Sequence, residues 1–151
     1  MQANRPDQMK IDLIEQIGGH GDIVRQICSI ITLLPDIDNA LFRGADIIHW
    51  TNGAITARNN GGTIAGLMVF QILEHSKTLW INTGYVSPPF RRQGIYTKMF
   101  DRCVEFARER KLTCISGATS YINTDMQEIM MEMGRKPVSI TYDFAVPEAT
   151  E

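Results

Sequence analysis

The chain has 151 residues, of which 44% are apolar and 21% charged, and its formal net charge is −2. This length predicts one domain spanning residues 1–151, and a chain of this size buries about 70% of its unfolded surface. Such a charge excludes the basic field that non-specific nucleic-acid binding requires, and the ordinary apolar fraction excludes a disordered or fibrous protein.

The first third of the chain predicts one strand and two helices. Apolar and polar residues alternate over Lys10–Ile17, which is the pattern of a strand. Asp22 is placed to cap a helix with a regular apolar face, which Pro35 closes. A second helix is predicted over Ala40–His49.

The middle of the chain predicts an antiparallel meander. The residues of Asn59–Gly62 tolerate positive φ angles, so they favour a tight turn, and Glu74–Lys77 forms a second turn. These turns separate three predicted strands, which are Ala54–Arg58, Thr63–Leu73 and Thr78–Val86.

The periodicity becomes helical after the meander. Gly94–Arg110 and Thr124–Met133 are predicted helices, and Leu112–Thr119 between them is a predicted strand. Gly134 is predicted to end the second helix, and the apolar residues at helical spacing in the first are Ile95, Met99, Cys103, Phe106 and Ala107. Ser139–Val146 alternates again and predicts a last strand. A strand that follows the meander through a helix implies a right-handed β-α-β crossover, so we expect an α+β domain around one mixed sheet.

The cysteines and the start of the chain indicate the compartment. Cys28, Cys103 and Cys114 lie in apolar surroundings without metal-binding spacing, so we expect packing residues, a reducing compartment and no metal site. Residues Met1–Gln8 are polar, which predicts no signal peptide. No apolar run approaches the ~20 residues of a membrane span, so we expect a cytoplasmic protein without a membrane partner.

The segment from Val86 to Thr97 joins a strand directly to a long helix. Amides in the first turn of a helix have no intrahelical acceptor, and the helix dipole favours an anion there. Gly94 allows close approach of a phosphate, while Arg91 and Arg92 add positive charge. The segment therefore predicts a phosphate or pyrophosphate site. The alternative is that Gly94 only eases a turn and both arginines are solvated.

The same segment resembles motif A of the GNAT acyltransferase superfamily, which has the pattern Q/R-x-x-G-x-G/A. Arg91 and Gly94 match this pattern, and Tyr96 replaces the final small residue. Ile64–Gly66 resembles the hydrophobic-x-Gly of the third GNAT strand, and Asn123–Gly134 resembles the N-x-x-A-x-x-x-Y-x-x-x-G segment. The order of elements is also similar. The resemblance implies the GNAT acyl-CoA N-acyltransferase fold, a mixed, mostly antiparallel sheet flanked by helices.

The resemblance implies that acetyl-CoA binds between the fourth and fifth strands as cosubstrate. Asn123 would reach the pantetheine or cap the last helix. The pantetheine amides would pair with the backbone of Gly84, Tyr85 and Val86. The pyrophosphate would bind the backbone amides of Arg92, Gln93, Gly94, Ile95, Tyr96 and Thr97.

The implied reaction is direct transfer of an acetyl group to a primary amine of a small molecule or a protein. Many relatives use a glutamate on the fourth or fifth strand as base and a tyrosine on the last helix as acid. This chain has no carboxylate in either strand and has Met130 at the tyrosine position. Three interpretations stay open: a water relay anchored by Asn82, Tyr121 as acid, or a non-catalytic acyl-CoA-binding or protein-interaction module. GNAT domains often pair through the C-terminal strand, so a homodimer is also allowed.

Overall fold

A five-stranded sheet organises the computed structural model, which describes residues 8–25, 52–119 and 121–149. The strands follow one another across the sheet in chain order, and every neighbouring pair is antiparallel except β4 and β5, which are parallel. This arrangement confirms the predicted meander followed by a crossover. The strands are β1 (Lys10–Ile14), β2 (Gly53–Arg58), β3 (Ile64–Leu73), β4 (Thr78–Val86) and β5 (Cys114–Gly117).

Two helices are described from end to end, α1 (Ile95–Glu109) and α2 (Thr124–Glu132). Both lie within one residue of their predicted ends. Residues 21–25 are also helical and begin the predicted first helix. Asp22 lies within its first turn and is not its cap, because the Val24 amide donates to the His20 carbonyl at 3.2 Å. The rest of that helix, the predicted helix Ala40–His49 and Cys28 lie outside the described residues. No helix in the described ranges is long and apolar enough to cross a membrane.

Helix α1 covers one face of the sheet. Its buried residues are Ile95, Met99, Cys103, Phe106 and Ala107, which are the positions that the helical spacing predicts. The Phe106 ring packs against Phe70 of β3, with ring centroids 5.4 Å apart. Burial also raises the pKa of the Cys103 thiol to about 12, in agreement with its predicted role in packing.

Alternation along β3 gives the sheet a second buried face. Phe70 belongs to the cluster under α1, whereas Leu67 and Val69 belong to a cluster with Ile23 from the helical residues 21–25. The sheet is therefore packed on both sides, as successive side chains of a strand point to opposite faces. Cys114 on β5 is exposed, so the prediction that it is a packing residue was wrong.

The predicted last strand, Ser139–Val146, is not a strand. Residues 135–149 have no regular secondary structure, and residues 136–149 are all exposed. The side chains do alternate, but a strand also needs a neighbouring strand for its backbone hydrogen bonds, and none of the described strands pairs with this segment. Its large apolar side chains are 78–87% exposed, and they are Val138, Ile140, Tyr142, Phe144 and Val146.

Candidate functional site

Strand β4 continues beyond the end of β5. The pairing of the two strands stops at Ile81 and Gly117, although β4 runs on to Val86. The stop coincides with a bulge at Asn82, because Thr83 pairs with Val69 of β3 whereas Ile81 pairs with the next β3 residue, Phe70. From Asn82 onward, no described strand pairs with the outer edge of β4. The sheet is therefore split at this point.

The backbone groups that face the split can be assigned from one hydrogen bond. The Ser87 amide donates to the Ala65 carbonyl of β3 at 2.8 Å. Because neighbouring residues of a strand direct their backbone groups to opposite sides, Gly84 and Val86 direct theirs toward the split. The side chain of Arg91 agrees with this direction, since its Nε donates to the Val86 carbonyl at 2.8 Å.

Tyr85 and Arg91 form the rim of the split. The same alternation directs the Tyr85 backbone toward its β3 partner Leu67, so its backbone faces away from the open edge. Its ring instead lies under the guanidinium of Arg91, whose Cζ is 5.5 Å from the ring centroid. This contact and the bond to Val86 hold a positive charge where β4 ends.

Helix α1 begins at this same end of β4 with free amide donors. Its N-cap is Gly94, at φ 75° and ψ 13°, and no side chain caps the helix there. The first intrahelical bond runs from the Lys98 amide to the Gly94 carbonyl at 3.1 Å. For the amides of residues 92–97, no protein acceptor is found in the described part of the chain. The predicted pyrophosphate residues therefore form one cluster of donors.

The space over this cluster is open. A Cβ placed on Gly94 would meet no atom within 4 Å. Arg92, two residues before Gly94, has a φ of 62°, in the left-handed region that few residues other than glycine adopt. The side chain of Gln93 turns inward and donates to the Pro89 carbonyl at 3.4 Å. The Thr97 hydroxyl is on an exposed residue. An anion could therefore reach the amides without displacing a side chain.

A cavity of about 70 Å³ occupies the split and is open to solvent. Tyr96 forms one wall, and its ring lies so close to Gly84 that a Cβ there would be 2.7 Å from Cε2. Only a glycine at position 84 leaves room for this ring. The other lining residues come from β4, the end of β5 and α2, and they are Ile81, Thr83, Gly117, Ala118, Thr119, Asn123, Met126, Met130 and Arg135.

Arg135 is a cavity residue that no sequence pattern predicted. The end of α2 places it, because the Arg135 amide donates to the Met130 carbonyl and the Gly134 amide donates to the Met131 carbonyl, as in a Schellman motif. Its guanidinium lies 5.1 Å from the Phe100 ring centroid, and Nη1 donates to the Tyr96 hydroxyl at 3.3 Å. The glycine that was predicted to end α2 is the only sequence signal for this placement.

The remaining predicted residues divide between the cavity and the surface. Asn123 lines the cavity and also caps α2, since its Oδ1 accepts from the Met126 amide at 3.2 Å. Asn82 is the bulge residue where the split begins. Tyr121 is 88% exposed and does not line the cavity. In the ranges described, no group of histidine, cysteine and acidic residues could hold a metal ion.

Two ionisable side chains, Tyr96 and Arg135, are found among the described residues of the cavity wall. Burial raises the pKa of the Tyr96 hydroxyl, and the charge and hydrogen bond of Arg135 lower it in part. The hydroxyl therefore keeps its proton at neutral pH. The described wall contains no carboxylate, in line with the absence of acidic residues from both predicted strands.

The fold is similar to that of several solved acetyltransferase structures. AAC(6')-Iy in complex with the bisubstrate analogue CoA-S-monomethyl-acetylneamine is 17% identical, with a TM-score of 0.66, over 91% of this chain and 99% of that chain. An aminoglycoside acetyltransferase from an uncultured soil metagenomic sample, in complex with sisomicin, is 14% identical, with a TM-score of 0.65, over 93% and 98%. A GNAT acetyltransferase from Staphylococcus aureus Mu50 is 17% identical, with a TM-score of 0.63, over 83% and 84%. These likenesses confirm the predicted fold.

No curated protein sequence matches the chain. The sequence profile of the Acetyltransferase (GNAT) family does match, over residues 28–134, which is most of the chain. The resemblance to the GNAT superfamily, drawn from Arg91, Gly94 and the element order, is therefore confirmed. Acetyl-CoA is the cosubstrate of this family, and solved structures similar to the chain hold CoA or a CoA conjugate. On the profile and the fold together, this chain belongs to the acetyltransferase (GNAT) family.

Proposed function

We propose that the protein is an N-acetyltransferase that transfers the acetyl group of acetyl-CoA to a primary amine. The observation that carries the proposal is the split between β4 and β5, which leads from the amide donors at the start of α1 to a cavity. A site of this kind suits a cosubstrate with a diphosphate at one end and an amide-containing arm that reaches into the protein.

The diphosphate is assigned to the start of α1. Its negative charges would be stabilised by the unpaired amides, by the positive end of the helix dipole and by the guanidinium of Arg91. The left-handed conformation of Gly94 and the open space above it support close approach of the anion to the backbone. We assign the amides of residues 92–97 to this contact, as the resemblance implies.

The pantetheine arm is assigned to the open edge of β4. It carries amide groups, so it can supply the hydrogen bonds that β5 does not make beyond Gly117. Gly84 and Val86 are the residues whose backbone groups face it, whereas Tyr85 contributes through the ring that supports Arg91. We assign Asn123 to the same arm through its side-chain amide nitrogen, because its Oδ1 is already used as a helix cap.

The thioester end is assigned to the neighbourhood of the bulge. A backbone amide of β4 would stabilise the oxyanion that forms when the amine attacks the carbonyl. An alkylamine has a pKa of about 10, so it is mostly protonated at neutral pH and must lose a proton before or during attack. Since no carboxylate lines the described wall, we assign this proton to a water relay that Asn82 and nearby carbonyl groups anchor.

The lack of a carboxylate among the described lining residues also favours one alternative, a GNAT fold that binds acyl-CoA without turning it over. An acyl-CoA-binding or protein-interaction module needs the donor cluster and the split but no base. The two functions make the same prediction for CoA binding. They differ in whether the thioester is cleaved.

Release of free CoA thiol separates the two functions. The purified protein would be incubated with acetyl-CoA and, in turn, sisomicin, neamine and a lysine-containing peptide, because structures similar to this chain hold sisomicin or an acetylneamine conjugate. We expect thiol release with at least one small-molecule amine and a gain of one acetyl group in its mass. A reaction without amine corrects for the exposed Cys114 thiol. CoA binding without acetylation of any amine would favour the non-catalytic module.

We further propose that the protein is a homodimer that pairs through residues 136–149. An exposed stripe of large apolar side chains marks an interaction site, and β5 has one described neighbour and so offers a free edge. A second copy supplies both the strand-like segment and the edge. Light scattering should give twice the mass of the chain, and Ile140→Ser with Phe144→Ser should give one chain mass. A monomeric wild-type protein would exclude this pairing.

The chain is further proposed to act as one domain in the cytoplasm. All described strands belong to one sheet, which supports a single domain. Cys103 and Cys114 are both free thiols, which supports a reducing compartment.

A further inference from the structure

We propose that Tyr96 is the catalytic acid that protonates the departing CoA thiolate, and that Arg135 is the residue that positions it. This inference rests on the proposed acetyl transfer and adds to it a residue for the leaving group. The starting point is that Tyr96 replaces the small residue of the phosphate-binding motif, and that its ring forms a wall of the cavity.

The hydroxyl of Tyr96 is held in place by packing of its ring and by Arg135, which is itself fixed by its neighbours. The ring lies against Gly84, where even a methyl group would clash with Cε2. Nη1 of Arg135 lies 3.3 Å from the hydroxyl oxygen. The guanidinium in turn packs over Phe100 and lies close to Gly117, since its Nη2 is 3.1 Å from the position of a Cβ there. These contacts fix the hydroxyl between β4 and the end of β5, beside the cavity.

The hydrogen bond to Arg135 determines where the tyrosine proton points. A guanidinium only donates, so the Tyr96 oxygen is the acceptor in this bond. The hydroxyl hydrogen is therefore directed to a different partner, and the described residues offer no acceptor for it. The cavity is the remaining direction, so a sulfur atom placed there would receive the proton.

The charges around Tyr96 suit an acid that gives up its proton and is then protonated again. Among the residues that the structure describes, two titratable or charged groups face Tyr96, which are Arg135 from the end of α2 and Cys103 from α1. Cys103 is buried and neutral, whereas Arg135 is positive and stabilises the phenolate that remains after proton transfer. A thiolate whose conjugate thiol has a pKa of about 8.5 can leave without help. Its protonation, however, prevents it from attacking the acetyl carbon again.

The proposed step conserves atoms and protons. The amine nitrogen bonds to the acetyl carbon, and collapse of the tetrahedral intermediate breaks the carbon–sulfur bond. The Tyr96 proton passes to sulfur and gives the free CoA thiol. The Tyr96 phenolate then recovers, through solvent, the proton that the amine nitrogen has lost. No oxidant, reductant or metal ion takes part.

The other candidates for the acid are less well placed. Met130 occupies the position at which many relatives have a tyrosine, and it lines the same cavity without an ionisable group. Tyr121 is 88% exposed and lies outside the cavity wall. Tyr96 thus supplies from α1 the hydroxyl that the α2 position lacks.

A titration of bound CoA tests the proposal without an acceptor amine. The thiolate of CoA absorbs in the ultraviolet, and the same titration with desulfo-CoA subtracts the tyrosines of the protein. A hydroxyl that donates to sulfur stabilises the thiolate, so the thiol bound to wild-type protein should titrate about one pH unit below that bound to Tyr96→Phe. Phenylalanine retains the ring contact with Gly84, so this variant removes only the hydroxyl group.

Each outcome of this titration is decisive. Equal midpoints in wild type and Tyr96→Phe, with CoA bound to both, would overturn the acid and leave acetyl transfer intact. A shift in Tyr121→Phe instead would assign the acid to Tyr121. Absence of CoA binding to the wild type would overturn the proposed function and this inference together.

Turnover gives a second readout that a purely structural role would not produce. With the amine that the wild type acetylates, Tyr96→Phe should lower kcat about 100-fold and leave the KM for acetyl-CoA nearly unchanged. Adding Met130→Tyr to this variant should restore part of kcat. Arg135→Gln should move the basic limb of the kcat profile to higher pH, because a positive charge that lowers the Tyr96 pKa is lost, and Arg135→Lys should move it less. An unchanged profile would exclude the positioning role.

Discussion

Replacement of Gly94 by glutamate is expected to raise the Kd for CoA at least about 100-fold, which corresponds to about 2.7 kcal/mol. Two effects combine at this position. The side chain would project a carboxylate into the space above the amide donors, where it would compete with the diphosphate and repel it. The residue would also have to adopt a φ of 75°, which costs a residue with a Cβ about 1–2 kcal/mol.

Gly62 provides a control that separates these effects. It has a φ of 80° in the turn between β2 and β3, and a Cβ there also meets no atom within 4 Å. Gly62→Glu therefore imposes similar backbone strain and the same charge away from the split, and it should bind CoA like the wild type. Calorimetric titration of both variants checks the prediction. Comparable loss of affinity in the two variants would show that strain, and not the anion site, causes the effect.

Phe70→Ala is expected to lower the free energy of unfolding by about 3–5 kcal/mol. The Phe70 side chain is fully buried, and its ring lies 5.4 Å from that of Phe106, so truncation leaves a cavity between the sheet and α1. A loss of this size is a large part of the 5–15 kcal/mol that stabilises a typical domain. Phe70 also faces Ile81 beside the bulge, so its packing supports the point where the split begins.

Urea denaturation followed by circular dichroism measures this loss. Leu73 lies on the same strand but is 38% exposed, so Leu73→Ala should cost less than about 1.5 kcal/mol. A small effect of Phe70→Ala, similar to that of Leu73→Ala, would contradict the packing of α1 on β3.

Local patterns predicted most of the described elements. Strand β4 has the predicted bounds, and the helical spacing of α1 identified its buried face. Alternation, however, reports only that a segment can form a strand. Residues 139–146 alternate as well as β4 does, but pairing depends on a neighbour elsewhere in the chain or in another copy, which no local pattern contains.

The candidate site was predictable where it depends on backbone donors. A glycine before a helix and after a strand indicates unpaired amides, and Gly94 is the N-cap of α1. The bulge at Asn82 has no sequence signature, so no local pattern predicted the split, and only the family resemblance implied an opening beside Gly84 and Val86. Tyr96 and Arg135 are 39 positions apart in the chain, and only the fold brings them together.

Calorimetric titration of the wild-type protein with CoA tests the central claim most directly, which is that unpaired amides at the start of α1 bind the diphosphate. We expect saturable binding of one CoA per chain, and pantetheine, which lacks the diphosphate, should bind far more weakly. A folded protein that gives no heat with CoA, or that binds pantetheine as tightly as CoA, would contradict the assignment.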